Sequence, residues 1–515
     1  MAATDTLSSH ALSLGAKPAV IDDRRDRDVV TWSFHELNRQ ANQLAHLLLE
    51  LGVLPGDKLV WCGPNSAPLF AMVHAARKIN TVAVPLNYRL APDEAAYVID
   101  NSDAVVVYVD AEYAELIDGV RDRIPKVRDV LVFGGDGDLE RHLAIQSDLD
   151  PSVDDTGVES ATMIYTSGTT GKPKGALRRS SRDVSQAVGL ISHIGYQPDD
   201  VYLTTGPLYH SGPGGFSRIA HGLGNTVVVQ RRFDAEDWLR LVDTYRVTTT
   251  FAAPTPVRMV CSLAEEVKAR YDRSSMRRLI ANAAPWSYAL KQRYLADFPA
   301  DSLWEVYGST ELSVDTVLAP EDQLRKPGSC GLPAPGVEIK LFDDQGDEVT
   351  EPGTPGELYV RAEGIYDTYY KADDKYQEDR RGDFHTVGDI AYRDEEGYFY
   401  ICDRKKDMII SGGMNIYPAE VESALEQHPG IFDVAVFGIP SEEWGESVHA
   451  VVVRAPAHES LTEADVIAFA RDHVAGYKIP RSVSFAGELP RTGSGKLLKR
   501  ELRAPYWAGH VSRVG

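Results

Sequence analysis

Cysteine is scarce in this chain of 515 residues. The four present, Cys62, Cys261, Cys330 and Cys402, are scattered with neither a disulfide framework nor metal-site spacing. Reduced thiols, buried or half-buried in a reducing compartment, are the expectation. Long apolar runs are missing too, since none approaches the ~18 residues a membrane-spanning helix needs. The opening MAATDTLSSHALSLGAKPAV has no basic stretch followed by a long apolar one and makes a poor signal peptide, so a cytoplasmic location is expected. Basic charge is in deficit. With 54 Lys and Arg against 76 Asp and Glu, the formal net charge of −22 argues against a general nucleic-acid binder. It leaves room for a local basic site for phosphates. Internal repeats and low-complexity tracts are absent.

What is present is a soluble globular composition, 43% apolar and 25% charged, in a chain too long for one ordinary core. Leu37, Ala41, Leu44, Leu48 and Leu51 recur near a 3.6-residue period and predict a helix. Lys58–Cys62 then reads as a buried strand, SAPLFAMVHAARKIN as a helix and Thr81–Val84 as a strand. A helix around Asp93–Asp100 and a strand at Ala104–Val109 follow, and the alternation continues to Thr226–Gln230. Such alternation suggests parallel sheets with helices on both faces. After Pro335 the texture changes to short antiparallel strands, GVEIKLF, GELYVRA and GYFYICD. After Asp403 it changes again. PAEVESALEQHPG predicts a helix with proline at its start and Gly430 just past its end, followed by strands DVAVFG and HAVVVR and helix ADVIAFARDHV. The fold class expected is α/β: a large N-terminal domain, 1–403, of parallel-rich sheets with flanking helices plus a β-rich subdomain, and a small mobile α+β domain, 404–515.

The stretch YTSGTTGKPKG, from Tyr165 to Gly175, follows the apolar Thr162-Met163-Ile164. A Gly/Ser/Thr-rich loop leaving a strand offers backbone N–H groups and hydroxyls to phosphate oxygens, and Lys172 and Lys174 add charge. It is neither a Walker loop nor GxGxxG.

YTSGTTGKPKG closely resembles the phosphate-loop signature of the adenylate-forming superfamily, in its acyl-CoA synthetase branch. Further motifs follow in the family's order: PLYHSG at 207–212, NAAP at 282–285, YGSTE at 307–311, GELYVRA, TVGDIAYRDEEGYFYICDRKKDMIISGGMNIYPAEVE and PRTGSGK at 490–496. The resemblance implies an ATP-dependent ligase that makes an acyl-adenylate and then an acyl thioester of CoA, with Mg²⁺ as cofactor. It implies that Thr166, Ser167, Gly168, Thr169, Thr170, Gly171 and Lys174 cradle the β- and γ-phosphates. Glu311 would contact Mg²⁺, Thr310 the α-phosphate, and Tyr307 beside Gly308 the adenine, with Asn282, Ala283 and Ala284 on the adenine side. Asp389 would accept from the ribose hydroxyls and Arg404 would bind near the ribose or a phosphate. Lys496 would bridge the attacking carboxylate and the α-phosphate. Asp403 would be the hinge of a rotating small domain, and Gly412 and Gly413, with Ser411, Met414 and Asn415, would line the pantetheine tunnel. His210 would gate or neighbour the acyl group.

A medium- or long-chain fatty acid or other hydrophobic monocarboxylic acid is the expected substrate; a carrier-protein-loading enzyme and an aryl-CoA ligase are the alternatives. Asn282 stands where the family often has glycine, and its amide would narrow the acid pocket or read a polar group. Trp286 is bulkier than expected, whereas SGPGG at 211–215 leaves room. No clear cation for a second carboxylate stands near His210, though Arg218 and Arg258 keep that idea open. A homodimer, and acetylation of Lys496 by a lysine acetyltransferase, are further expectations from relatives.

Overall fold

The computed structural model describes residues 5–25, 27–153, 157–166, 172–179, 185–284, 286–456, 458–491 and 497–508. Ser167, Gly168, Thr169, Thr170, Gly171 and Lys496 therefore lie outside the described residues.

Local chemistry sets the elements. The helix Phe34–Glu50 starts at a capping box, in which Ser33 Oγ accepts from Glu36 N at 3.2 Å and Glu36 Oε2 accepts from Ser33 N at 2.8 Å. Its apolar positions Leu37, Ala41, Leu44 and Leu48 are fully buried, as their period requires. Among the described residues the strands form four sheets, of nine, seven, six and five strands. In the nine-stranded sheet, Pro18–Asp22, Thr226–Val229, Val201–Thr204, Thr249–Ala252, Arg278–Ala281 and Leu303–Ser309 run parallel in that spatial order. Ser313–Leu318 then turns back antiparallel along Leu303–Ser309. In the seven-stranded sheet the parallel strands Asp129–Phe133, Ala104–Asp110, Lys58–Cys62, Val82–Leu86 and Ala161–Thr166 lead to antiparallel Lys174–Arg179 and Thr368–Tyr370. Strands of this kind are near-continuous Val, Ile, Leu and Ala because both faces are covered. The six-stranded sheet, between Glu338 and Arg404, is small and antiparallel.

The five-stranded sheet is carried by the last part of the chain. Its long hairpin Ile431–Ser441 and Gly445–Arg454 is backed by helices Pro418–Leu425 and Glu463–His473 over a separate apolar core. The first of these helices is shorter than expected. It ends at Leu425, and the chain turns through His428, whose N–H bonds to Leu425 O at 3.0 Å. Glu426 caps the helix, its N–H bonding to Glu422 O at 2.9 Å, and its side chain faces Arg258 at 3.8 Å. No helix among the described residues is long and apolar enough to cross a membrane. Cys62 and Cys330 are buried and Cys261 and Cys402 half-buried, and burial pushes all four thiols up to about 12.

Candidate functional site

The site forms where two sheets meet at the C-terminal ends of their parallel strands. Strand Ala161–Thr166 ends with Thr166 opposite Lys174 on the returning strand. Thr166 Oγ1 donates to Glu311 Oε1 at 3.0 Å. Tyr369, delivered by the next strand over, donates its hydroxyl to the same oxygen at 2.9 Å. Burial, then the Glu311 carboxylate, hold the Tyr369 phenol far above its usual range, so it stays a donor. Glu311 is itself buried, and its Oε2 accepts no hydrogen bond from the described residues. Lys174 Nζ sits over the Tyr369 ring, 5.9 Å from its centre.

That donor set fits Mg²⁺. Among the described residues no group of three or more His, Cys, Asp or Glu side chains could hold a metal. A single carboxylate with one unshared oxygen suits a hard cation that takes its other ligands from phosphates and water.

Thr310 precedes this carboxylate. Its Oγ1 lies 2.9 Å from Ser211 Oγ, and its carbonyl accepts from Arg178 Nη2 at 2.8 Å. Tyr307 donates to Asp389 Oδ2 at 2.5 Å, and Arg404 Nε lies 3.4 Å from Asp389 Oδ1, which the pairing of Asp389 opposite Arg404 requires. Gly308 is forced: a Cβ there would fall 1.8 Å from Ser313 O, where the strand doubles back with Ser313 at φ 76°. Thr166, Lys174, Tyr307, Gly308, Thr310, Glu311, Asp389 and Arg404 are thus brought to one cleft.

Asn282, Gly412, Gly413 and Arg258 have partners within the protein. The Asn282 side chain lines the cleft and is held from both ends. Nδ2 donates to Val306 O at 2.7 Å and Oδ1 accepts from Ala283 N, so the side chain ties the ends of two strands together. Ala283 takes φ 75° beside it, an unusual backbone for a residue with a Cβ, and Ala284 follows along the cleft wall. Gly412 and Gly413, at φ 57° and 79°, form a tight turn under Trp444 and are not part of the cleft lining, although Asn415 is. A Cβ on Gly412 would sit 2.8 Å from the Trp444 ring, so that glycine is accounted for by packing. Arg258 is spoken for, lying 3.8 Å from Glu426 and 3.6 Å from Asp433.

His210 stands at the start of helix Ser211–Gly222 with its ring 4.4 Å from that of Tyr209. Burial, then Arg89, push its imidazole down to about 4, and the buried Nε2 has no partner. It is a neutral imidazole at physiological pH. Asp403 is buried; its carboxylate accepts from Arg404 N at 2.7 Å and Ala419 N at 3.0 Å, with Lys499 Nζ at 3.9 Å. Lys499 Nζ also meets Glu422 Oε1 at 2.9 Å. Arg491 and Leu497–Glu501, on either side of 492–496, line the cleft.

Sequence reasoning missed Tyr369, Ser211 and Arg178. Tyr369 is 58 residues from Glu311 and carries no local signal. Arg178 was visible as a charge near the end of KGALRR, beside Arg179.

The pattern of the AMP-binding enzyme family matches residues 8–370, and that of its C-terminal domain matches residues 420–496. The chain belongs to this family. It is 32% identical over 519 residues to the fatty acid–[acyl-carrier-protein] ligase ScoC of Streptomyces coeruleorubidus, covering 99% of this chain and 97% of that one. It is 34% identical over 481 residues to a feruloyl-CoA synthase of an Amycolatopsis species, covering 92% and 94%. Among solved structures, the o-succinylbenzoate coenzyme A synthetase of Bacillus subtilis with ATP and magnesium superposes with a TM-score of 0.83 at 28% identity, over 96% and 98% of the two chains. The protein is an AMP-forming acid–thiol ligase of the acyl- and aryl-CoA ligase type. Enzymes of this family use ATP, Mg²⁺ and CoA.

Proposed function

We propose that the protein activates a hydrophobic carboxylic acid with ATP as an acyl-adenylate and passes the acyl group to CoA. The observation that carries this reading is the run of polar side chains along one cleft: Glu311 with Thr166 and Tyr369, then Thr310 with Ser211, then Tyr307 with Asp389 and Arg404. It gives a metal and β,γ-phosphate end, an α-phosphate position and a nucleoside end in the order that ATP presents them. Phe251, Trp286, Val306, Leu190 and Ile191 supply apolar wall for the acid. The continuous cavity of about 3810 Å³ exceeds the ~300–1000 Å³ of a single small-molecule site, as a cleft for two substrates must.

In the first step an oxygen of the acid attacks the α-phosphorus, the bond to the bridging oxygen breaks, and pyrophosphate leaves. In the second, the thiol sulfur attacks the acyl carbon and AMP leaves. Glu311 would hold Mg²⁺, which would supply positive charge to the phosphate oxygens. Thr166 and Tyr369 hold the Glu311 carboxylate in place. Thr310 and Ser211 donate near the α-phosphate and the incoming carboxylate, and Lys496 neutralises the repulsion between those two anions. Acetylation of Lys496 would remove that charge. Residues 1–403 and 404–515 act as two bodies that hinge at Asp403. A first-step arrangement is supported by the segments flanking Lys496, which line the cleft, whereas Gly412 and Gly413 do not line it.

A carrier protein is the second thiol acceptor to consider, because ScoC carries that activity in its name and covers this chain almost end to end. The experiment supplies ATP, Mg²⁺ and a panel of acids, with CoA or a phosphopantetheinylated carrier protein, and follows pyrophosphate, AMP and thioester by mass spectrometry. Thioester on CoA is expected. Pyrophosphate release with thioester only on the carrier would select the second reading, and neither product from any acid would refute both.

A further inference from the structure

We propose that Arg218, with Arg178 beside it, makes the acid pocket a receptor for acids that carry a second carboxylate at the end remote from the reacting one. This rests on the ligase reading above and names the substrate class: dicarboxylic acids, in place of the monocarboxylic acids expected from sequence.

Helix Ser211–Gly222 runs away from the reaction centre, since Ser211 Oγ touches Thr310 Oγ1 at its first residue. Ser211, Gly215, Arg218 and Gly222 share one face, and all four line the cavity. At 1.5 Å per residue, Arg218 stands about 10 Å further along the axis. Its side chain leans back toward the helix start, with Nη1 3.4 Å from Thr162 Oγ1 and Nη2 4.0 Å from where a Cβ on Gly215 would be. The guanidinium therefore lies back along the helix from its own Cα, toward the Ser211 end.

What Arg218 lacks is a counter-charge. Among the described residues no carboxylate lies within ion-pair distance of it, and the long contact to Thr162 is its one hydrogen bond. Three half-buried arginines of the same sheets and helices are matched by carboxylates: Arg231 with Asp110 and Glu112, Arg240 with Asp23 and Asp237, Arg278 with Asp200. Arg218 is exposed, and it lines the cavity. Two other cations, Arg178 and Arg77, act on it. Arg178 cannot quench it. Arg178 spends one N–H on Thr310 O, and its acidic neighbours are Glu311, Asp315 and Asp367. Glu311 is committed to the metal position. Asp315 is fully buried with both oxygens unpartnered, and burial, then Asp389, drive its carboxyl far up toward the neutral form. In a protein of net charge −22, an arginine that faces the cavity with no ion-pair partner among the described residues, and has a second arginine beside it, forms a preformed anion site. The bound carboxylate is the anion that fits, because a guanidinium fork pairs with it in two parallel hydrogen bonds.

The test compares glutarate, adipate, pimelate and suberate with pentanoate, hexanoate, heptanoate and octanoate, each with ATP, Mg²⁺ and CoA. One or more of the diacids should exceed the monoacid of equal length by about 10- to 100-fold in kcat/KM. Arg218→Met should cancel that preference through the KM of the diacid while turnover of the monoacid is kept or raised, and Arg218→Lys should restore part of it. Turnover of the monoacid reports that the variant has folded; should Arg218→Met not fold, the preference of the wild-type protein decides alone. Monoacids used as well as diacids would overturn the inference and leave the ligase reading standing. An Arg218→Met defect that raises the KM of ATP equally for every acid would also overturn it and assign the cation to phosphate. No thioester and no AMP from either series would refute the ligase reading and this inference together.

Discussion

Replacing Tyr369 by phenylalanine removes one oxygen from the deepest part of the site and tests the placement of the metal. Thr166 and Tyr369 both donate to Glu311 Oε1, at 3.0 and 2.9 Å, and leave Oε2 for the cation. Glu311 and Tyr369 are each 8% exposed, so no bulk water replaces a lost donor at full strength. A hydrogen bond to a charged group of this kind is worth about 1.5–3 kcal/mol. If that loss falls on the transition state, at about 1.4 kcal/mol per decade, kcat/KM for MgATP drops roughly 10- to 100-fold. The phenyl ring keeps its contact with Tyr366, whose ring centre is 4.8 Å away, so the fold survives. The assay is pyrophosphate release across a Mg²⁺ titration, with thermal unfolding as the control. The Mg²⁺ requirement should rise and the maximal rate fall. A double-mutant cycle with Glu311→Gln should show Tyr369→Phe costing little once the carboxylate is gone. A folded Tyr369→Phe protein with the wild-type rate and Mg²⁺ dependence would refute the assignment of Glu311 to the metal, because its best-placed donor would then be idle.

Three further predictions concern other parts of the molecule. Lys496→Ala should remove pyrophosphate release by several orders of magnitude while thioester formation from a supplied acyl-adenylate is less affected; equal loss in both would count against its role at the α-phosphate. Asp403→Pro should leave pyrophosphate release near the wild-type rate and slow thioester formation, since the hinge serves the second step; unchanged rates in both steps would refute the hinge. Stability should depend on the buried pair His74 and His221, whose Nε2 and Nδ1 are 3.2 Å apart. Burial drives the His74 imidazole well below its usual range and that of His221 to about 4, so the unfolded chain binds more protons than the folded one between about pH 4 and the usual ~6.5. Their contribution is complete above that usual value and is lost as pH falls through the window. The urea midpoint should therefore fall across it, and less steeply in His74→Leu; parallel slopes would exclude the pair as the cause.

Elements were legible wherever local pattern and tertiary environment agree. The helix at Phe34–Glu50 has its period, its cap and its burial all in one stretch of sequence. The strands of the parallel sheets announce themselves as short apolar runs between helices. The helix at Pro418–Leu425 was misjudged at its far end, where Gln427 and His428 turn to i→i−3 bonds ahead of Pro429, which disfavours helical backbone in the residue before it. Site residues divide in the same way. Those within a motif, such as Glu311 and Asp389, could be named from the chain alone, but the donors that orient them come from other strands: Tyr369 for Glu311 and Tyr307 for Asp389. Asn282 shows the converse. Its amide invites a role in recognition, and one of its N–H groups is taken by Val306 O on the neighbouring strand, a partner the chain alone does not show.

The same reasoning separates the two arginines that a sequence leaves equivalent. Arg218 and Arg258 are both charges on helices beside the acid pocket, and nothing in their flanking residues ranks one above the other. Arg258 meets Glu426 and Asp433, 168 and 175 positions away by sequence number, and so belongs to the contact between the two parts of the chain. Among the described residues Arg218 hydrogen-bonds to Thr162 alone, and it faces the cavity near other cations. An ion pair is a property of two distant positions, so the absence of one can be seen only after folding. That absence is what turns Arg218 from a helix charge into a group that selects the acid.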